Sequence, residues 1–177
     1  MPRREEVFSV SEMAAQDRWG NPELWTEARI AQLIWDRLPE PLHARIEAAP
    51  FFFLATSDRE GRSDCSFKGG GPGLVKVLSQ TRLAFPHFGA RVKGNGVYAS
   101  LGNILDNPHV SLLFIDFSDG ARLRVNGRAT IEENTGMTGQ FPLAECVVIV
   151  DIERVAPSCS SYIPLMAPID VPSQDTR

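Results

Sequence analysis

The sequence predicts a mainly β fold in which antiparallel strands form a small closed barrel, with one helix between hairpins and further flanking helices. Three observations support this prediction. Short segments that are apolar or strictly alternating, separated by tight turns, recur through residues 51–155. A single helical pattern at residues 94–108 interrupts them, and good helix formers dominate residues 1–49. The 177 residues are enough for one domain with a substantial core.

Composition excludes several classes of function. The net charge is −4 at pH 7, and Arg and Lys are scattered, which disfavours nucleic acid or an acidic membrane as the main partner. No apolar run approaches the length of a membrane span, and no signal-peptide core follows the first residues. The cysteines are odd in number and far apart, which predicts neither a disulfide framework nor a metal site. They are Cys65, Cys146 and Cys159. We therefore expect a cytoplasmic protein.

Residues 1–49 are predicted to form a helical segment that packs on the barrel or on a partner chain. Helices are expected at residues 9–17, 26–37 and 42–48, separated by glycine and proline breakers, with Thr26 as a helix cap. Aromatic side chains of this size are expected to pack the segment against the rest of the structure or against a partner chain. The tryptophans, all in this segment, are Trp19, Trp25 and Trp35.

Residues 50–170 are predicted to form the barrel domain, and residues 171–177 a disordered tail. The predicted strands are residues 51–57, 62–68, 74–78, 82–85, 110–117, 121–131 and 146–155. Residues 62–68 alternate, so that Asp64, Ser66 and Lys68 share one side of the strand, with Cys65 and Phe67 on the other. The strand at residues 110–117 is apolar on both faces, which predicts a central position in the sheet.

The helix predicted within residues 94–108 has a marked beginning and end. Asn95 is expected to cap its first amides, Gly96 lets the chain turn in, and Pro108 ends it. Its free amides and side-chain donors (Tyr98, Ser100 and Asn103) make its start a natural anion site, although a capped helix that touches no ligand would look the same. The predicted apolar stripe consists of Val97, Leu101, Ile104 and Leu105.

A series of motifs occurs in a characteristic order between residues 51 and 131. They are Phe-Leu-Ala-Thr-Ser, Gly-Arg-Ser-Asp-Cys-Ser-Phe-Lys-Gly-Gly, Leu-Ala-Phe-Pro, Gly-Asn-Gly-Val-Tyr-Ala-Ser-Leu-Gly-Asn-Ile, Asn-Pro-His-Val-Ser-Leu-Leu-Phe-Ile-Asp-Phe and Arg-Leu-Arg-Val-Asn-Gly-Arg-Ala. Together they resemble the FMN-binding split-barrel family that includes pyridoxamine 5'-phosphate oxidase, and within it the flavin-nucleotide-binding branch. The resemblance implies a split β-barrel of the FMN-binding type, and a homodimer with FMN at the subunit interface.

The resemblance also implies a set of cofactor-binding residues. The strand from Asp64 to Lys68 would run beside the isoalloxazine, the next strand end would lie near the ribityl chain, and the helix start near the phosphate. Arg122 matches a glutamine that touches the flavin ring in the vitamin enzyme. The implied residues are Cys65, Ser66, Phe67, Lys68, Phe85, Pro86, His87, Asn95, Gly96, Val97, Tyr98, Ser100, Asn103 and Arg122.

Each of these residues also has a purely structural interpretation. Lys68 can be a solvated residue at the end of a strand. Arg122 can belong to the solvent-exposed face of a half-buried strand, and His87 can be a turn residue. Cys65 is expected to be a small buried hydrophobe.

Two departures from the family pattern affect function. Where related enzymes carry Ser-Arg-Lys at the phosphate helix, this chain has Asn-Gly-Val-Tyr, so that Arg91 and Lys93 would have to supply charge from the loop. Those enzymes also end in a segment with Trp and Arg that grips pyridoxal phosphate, whereas no tryptophan follows Trp35 here. Oxidation of pyridoxamine phosphate is therefore not expected.

Three hypotheses about function follow from the resemblance. The first is an FMN-dependent oxidoreductase that moves a hydride or electrons between a reduced nicotinamide and a small organic acceptor, with no catalytic side chain assigned. The second is a non-catalytic protein that stores, senses or delivers flavin. The third keeps the fold and replaces FMN with a deazaflavin or haem, because a fold by itself does not determine the ligand.

Overall fold

The computed structural model of the protein describes residues 2–89, 95–133, 138–158 and 161–167. In these residues the α-helices are α1 (Arg4–Val7), α2 (Val10–Trp19), α3 (Glu27–Leu33), α4 (His43–Ala48) and α5 (Ala99–Asp106). The strands are β1 (Phe51–Ser57), β2 (Ser63–Gly69), β3 (Lys76–Ser79), β4 (Arg82–His87), β5 (His109–Ile115), β6 (Arg122–Glu132) and β7 (Cys146–Ser158). Short 3-10 helices lie at Pro22–Leu24, Glu40–Leu42 and Thr138–Gln140. The tail predicted at residues 171–177 lies outside the described residues, as do Arg91, Lys93 and Cys159.

The strands described here form one antiparallel sheet with the order β2-β1-β5-β6-β7-β4-β3. The predicted mainly β fold is therefore confirmed, with α5 between the β3–β4 and β5–β6 hairpins. The strand β5 pairs with both β1 and β6, which confirms its predicted central position. On β6 the residues Val125, Gly127 and Ala129 are buried, whereas Arg124 and Arg128 are exposed, as the alternation predicts.

The main core lies between the sheet and the helices on its inner face. Large, fully buried side chains such as Phe52, Leu112 and Val125 come from the neighbouring strands β1, β5 and β6. The helical segment contributes Leu38 and Ile46 to the same cluster, so this part of the N-terminal segment packs directly on the sheet.

The helix predicted at residues 26–37 is shorter in the structure. Thr26 caps α3 as predicted, because its hydroxyl accepts a hydrogen bond from the Arg29 amide at 3.3 Å. The helix ends at Leu33, after which Trp35 pairs with Val155 of β7 through two backbone hydrogen bonds of 2.9 and 2.7 Å. Pairing with the sheet therefore overrides the local helix propensity.

The three tryptophans differ in how far they pack. Trp35 lies against the main core, and Trp25 packs edge to face on the buried Phe8 with ring centroids 4.8 Å apart. Trp19 is 75% exposed, and Arg18 lies over its ring. Trp35 and Trp25 therefore pack within the chain as predicted, whereas packing of Trp19 on a partner chain stays a prediction.

The start of α5 also differs from the prediction. Asn95 does not cap the helix: its side chain accepts a hydrogen bond from the Val97 amide in a turn before the helix, and the N-cap is Tyr98. The helix begins several residues later than predicted and leaves Val97 outside it, while Leu105 lies on the exposed side of α5. The predicted apolar stripe is therefore incomplete. The buried side chains of α5 are Ser100 and Ile104. The predicted end is confirmed, with Asn107 as the C-cap.

In the described part of the chain, no helix has both the length and the apolar character that crossing a membrane requires.

Gly127 allows a close approach between β6 and β7 at a register shift. A Cβ atom at this position would collide with the carbonyl oxygen of Asp151 and approach Val150 Cγ1 to 2.9 Å. We expect Gly127→Ala to lower the free energy of unfolding by about 1–3 kcal/mol, the usual cost of overpacking. Urea titration measures this. Gly102→Ala is the matched control, since a Cβ there meets nothing within 4 Å and the change should stabilise α5 by about 0.5–1 kcal/mol. Equal effects of the two variants would contradict the prediction.

Candidate functional site

The edge strand β2 presents two chemically different faces. Lys68 pairs with Phe52 of β1, so Lys68 and Ser66 share the inner face of the sheet and are half-buried. Phe67 and Cys65 lie on the outer face and are exposed. The predicted alternation is therefore confirmed, but the expectation that Cys65 is buried is wrong. Every residue of β2 that faces outward is exposed, so this face of the strand is uncovered in the single chain.

Ser100 joins β2 to the first turn of α5. Its hydroxyl lies 2.9 Å from the Ser66 hydroxyl and accepts a hydrogen bond from Lys68 Nζ at 3.2 Å. Ser100 is only 6% exposed, so the contacts form in a largely dehydrated place. We call Ser66, Lys68, Ser100 and the nearby His87 the Lys68 cluster. The structure thus brings together four predicted site residues from three separate segments of the chain.

The charge of Lys68 dominates the electrostatics of the cluster. Burial lowers the pKa of Lys68, and the carboxylate of Asp64 opposes that shift. Burial also lowers the pKa of His87, and the charge of Lys68 lowers it further, against an opposing effect of Glu145. The lowered pKa leaves His87 mainly neutral at pH 7, and the half-buried ammonium of Lys68 lies near it. Such a cation favours an anionic or electron-rich ligand group.

Glu145 belongs to the same region and was missed by the sequence analysis. Its carboxylate accepts a hydrogen bond of 3.0 Å from the Tyr98 hydroxyl, and its backbone amide donates to the His87 carbonyl at 2.9 Å. The Tyr98 ring lies 5.2 Å from the His87 ring. Gly89 permits this arrangement, because a Cβ there would collide with the Glu145 carboxylate. The pairing of β4 with β7 creates this proximity, and no local motif signals it.

Tyr98 has an unusual backbone conformation at the start of α5. Its φ of 55° lies in the left-handed region, which is rare for a residue with a large side chain. The hydrogen bond to Glu145 and the contact with His87 compensate for part of this strain.

Other predicted site residues have structural roles or lie elsewhere. Phe85 and Pro86 are buried in β4, and the side chain of Phe85 packs on Phe52 in the core. Asn103 donates a hydrogen bond to the buried Thr56 hydroxyl at 3.0 Å, which ties α5 to β1. The turn before α5, with Asn95, Gly96 and Val97, is exposed.

Arg122 lies apart from the Lys68 cluster. Through the pairing of β1, β5 and β6, its side chain belongs to the outer face, opposite to Lys68. Arg122 borders a cavity of about 830 Å³ at the sheet end where β1 and β6 begin and β5 and β7 end. We call it the end cavity. The larger side chains that line the end cavity are Trp35, Phe51, Phe114, Phe117, Leu123 and Met166.

Within the described residues, no group of three or more His, Cys, Asp or Glu side chains is arranged to bind a metal ion.

Comparison with known families gives one match. The sequence model described as pyridoxamine 5'-phosphate oxidase matches residues 38–147, which is more than half of the chain. A comparison with curated proteins finds no match.

Solved structures provide two informative similarities. HupZ from Group A Streptococcus is 17% identical, with 67% of this chain and 92% of HupZ covered and a TM-score of 0.52. A candidate pyridoxamine 5'-phosphate oxidase from Lactobacillus delbrueckii is 22% identical, with 68% and 94% covered and a TM-score of 0.53. At these identities the similarity establishes the fold, and it confirms the predicted split barrel.

The coupling between Lys68 and His87 predicts a shift that can be measured. In Lys68→Met the pKa of His87 should rise, because a neighbouring positive charge is removed. The folded pKa of His87 lies below its unfolded value of about 6.5, so wild-type stability should fall as pH drops through that value. This loss should be smaller in the variant. NMR titration of the imidazole, and urea unfolding on both sides of that pH, measure the two effects. Lys76→Met, on β3, is the control, and an unchanged His87 pKa in Lys68→Met would refute the coupling.

Proposed function

Because the chain belongs to the pyridoxamine 5'-phosphate oxidase family, we propose that it binds FMN and acts as a flavin-dependent oxidoreductase on a small molecule. The observation that carries the proposal is the half-buried Lys68, whose ammonium is directed by the buried Ser100 at the first turn of α5. A structural lysine gains little from such a position, whereas a ligand-binding lysine gains stronger electrostatic interactions there.

The residues of the Lys68 cluster fit the polar edge of a flavin ring. Lys68 supplies a cation, Ser66 a hydroxyl, and β2 ends the strand order of the described sheet, which leaves one backbone edge for a ligand. This combination suits a planar group that carries both hydrogen-bond donors and acceptors.

The phosphate end of the site is less complete in the described residues. The turn from Asn95 to Tyr98 offers polar groups, and Glu145 adds a negative charge beside Tyr98. Arg91 and Lys93, which the sequence analysis expects to supply positive charge, lie outside the described residues. The proposal therefore relies on the ring end of the site, where the described side chains meet the requirements.

The chain's own residues would have defined roles in such a site. FMN supplies two-electron redox chemistry when it is bound, so no protein nucleophile is required. Lys68 stabilises negative charge at the pyrimidine edge of the ring. His87 is uncharged at pH 7 and can accept a proton near the cluster.

We also propose that the protein works as a homodimer. Lys68 and Arg122 lie on opposite faces of one sheet, so a single chain does not present both to one ligand, whereas two chains can. An aromatic patch on the outer face supports the same proposal. Phe67 is 61% exposed and stacks on Phe51 at 5.2 Å, next to Phe53. A second copy would cover this apolar surface.

A redox titration tests the role of Lys68. We expect Lys68→Met to lower the midpoint potential of bound FMN, because the ammonium favours the more negative reduced form. A hydrogen bond to a charged group contributes about 1.5–3 kcal/mol. Since 1.4 kcal/mol corresponds to about 30 mV for a two-electron couple, the expected shift is about 30–60 mV. Affinity for reduced FMN should fall more than affinity for oxidised FMN.

The same preparation separates catalysis from storage. Lys76→Met is the charge-matched control and should leave the potential unchanged. Rapid loss of the flavin spectrum on anaerobic addition of reduced nicotinamide would support an oxidoreductase, whereas a yellow protein that keeps its spectrum would favour the non-catalytic alternative. Equal midpoint potentials of bound FMN in the wild type and in Lys68→Met would show that Lys68 does not contact the flavin.

Light scattering tests the homodimer. We expect a dimer at micromolar concentration and a shift to monomer in Phe67→Glu, because a charge placed in an apolar interface is costly to desolvate. Leu105→Glu is the matched control, since Leu105 is 78% exposed on α5 and lies outside the aromatic patch. A wild-type monomer that binds FMN would rule the dimer out.

A further inference from the structure

We propose that a cleft between α2 and the outer face of β6 and β7 binds a small oxyanion, a carboxylate or phosphate group, in competition with the Glu12 carboxylate. We call it the arginine cleft, and it is lined by Glu12, Arg124, Asn126, Arg154 and Ala156. None of these residues belongs to the implied cofactor residues, the Lys68 cluster, the end cavity or the aromatic patch. Three of them, Glu12, Arg154 and Ala156, lie outside the family match at residues 38–147. The site therefore does not depend on flavin binding.

The register of β6 and β7 brings two arginines to the arginine cleft. Arg124 pairs with Ala156, and Asn126 pairs with Arg154. These four positions alternate with buried ones along their strands, so they share the outer face. Arg124 and Arg154 are thus diagonal neighbours, within reach of each other's long side chains, and the small Ala156 leaves space between them. Two cations so placed repel each other, and an anion between them relieves that repulsion.

Hydrogen-bond donors dominate the walls of the arginine cleft. Arg124 makes no hydrogen bond or ion pair with any other residue that the structure describes. The amide oxygen of Asn126 accepts a hydrogen bond from the Ser111 hydroxyl at 2.9 Å, so its NH2 group remains a donor. Two guanidinium groups and an amide NH2 match the oxygen atoms of a carboxylate or phosphate group.

Glu12 already binds one of the two arginines in the way that a ligand would. Its Oε1 accepts a hydrogen bond from Arg154 Nη1 at 3.0 Å, whereas its Oε2 accepts one from the Ser9 amide at 2.9 Å in the capping box of α2. Burial by itself would raise the pKa of Glu12, but the hydrogen bonds from Ser9 and Arg154 lower it overall. A ligand that replaces Oε1 at Arg154 leaves the bond at Oε2 in place, so α2 keeps its cap.

The size and rigidity of the arginine cleft suit a small ligand group. The guanidinium of Arg154 lies over the ring of the buried Phe8 at 5.1 Å, which holds it in place. The cleft has a volume of about 80 Å³, several times the roughly 10–15 Å³ that one water molecule needs. One carboxylate or phosphate group therefore fits, whereas a ring-containing ligand, whose site has about 300 Å³ or more, does not.

An NMR titration of the arginine Nε–Hε signals tests the proposal. Inorganic phosphate and acetate are added separately to the full chain at an ionic strength that chloride keeps constant. We expect at least one of the two anions to shift the signals of Arg124 and Arg154 together and to saturate at one anion per chain. The anion that binds more tightly identifies the ligand group as phosphate or carboxylate. The titrations are done with and without FMN, and the signals of the two arginines report the cleft itself in both cases.

Two substitutions in the arginine cleft should change anion affinity in opposite directions. Arg124→Met removes a cation and should weaken binding by about tenfold or more, measured at Arg154. Glu12→Gln removes the competing carboxylate, keeps the capping box, and should tighten binding by about two- to fivefold. Arg18→Met is the matched control, because it removes the same charge from α2 at a position that does not line the cleft. Thermal melting confirms that each variant is folded.

Saturable shifts at both arginines, with opposite effects of the two cleft variants, support an oxyanion site that competes with Glu12. Shifts that do not saturate, or an equal loss in Arg124→Met and Arg18→Met, would overturn it, because the anions would then respond to positive charge in general. Weaker binding in Glu12→Gln would overturn the competition. A change of oligomeric state on addition of the anion, measured by light scattering, would assign the cleft to an interface between copies instead. Failure of FMN binding alone would affect the proposed function and leave this inference standing.

Discussion

The pairing of β7 with two neighbours is the interaction on which the rest of the structure depends. Its first half pairs with β4, and nearly its whole length pairs with β6, so it joins the two parts of the sheet. Val148 and Val150 enter the main core, whereas Val147 and Ile149 pack in a second cluster on the other face. Burial on both faces excludes water from the backbone hydrogen bonds of this strand, which makes its position difficult to change.

The electrostatics of the candidate site follow from this pairing. The register of β4 and β7 places His87 opposite Cys146, and so Glu145 lies directly beside His87. On the same inner face of the sheet, α5 packs on β1, and Ser100 in its first turn accepts a hydrogen bond from the half-buried Lys68. A cation and a neutral imidazole therefore lie near each other because two separate long-range contacts bring their strands together.

The segments on either side of the family match, residues 38–147, meet at the same end of the sheet. Trp35 joins β7 from the N-terminal side, and Met166 joins Phe117 from the C-terminal side. Each segment adds a wall to the same end of the barrel, next to the Arg45 ion pairs. In this chain the segments on either side of the matched region therefore line one apolar cavity together with β1, β5 and β6.

The sequence by itself determined the strands, because period-two alternation and tight turns are local signals, and it placed Ser66, Lys68, Ser100 and His87 among the site residues through the family resemblance. Tertiary structure decided what local patterns do not encode. Pairing with β7 shortened α3, and the left-handed Tyr98 moved the start of α5. The uncovered outer face of β2 left Cys65 exposed. The register of β4 and β7 brought Glu145 to His87, and segments far apart in the chain line the end cavity. These outcomes depend on contacts between residues distant in sequence, whose energies exceed the local preferences that a pattern reports.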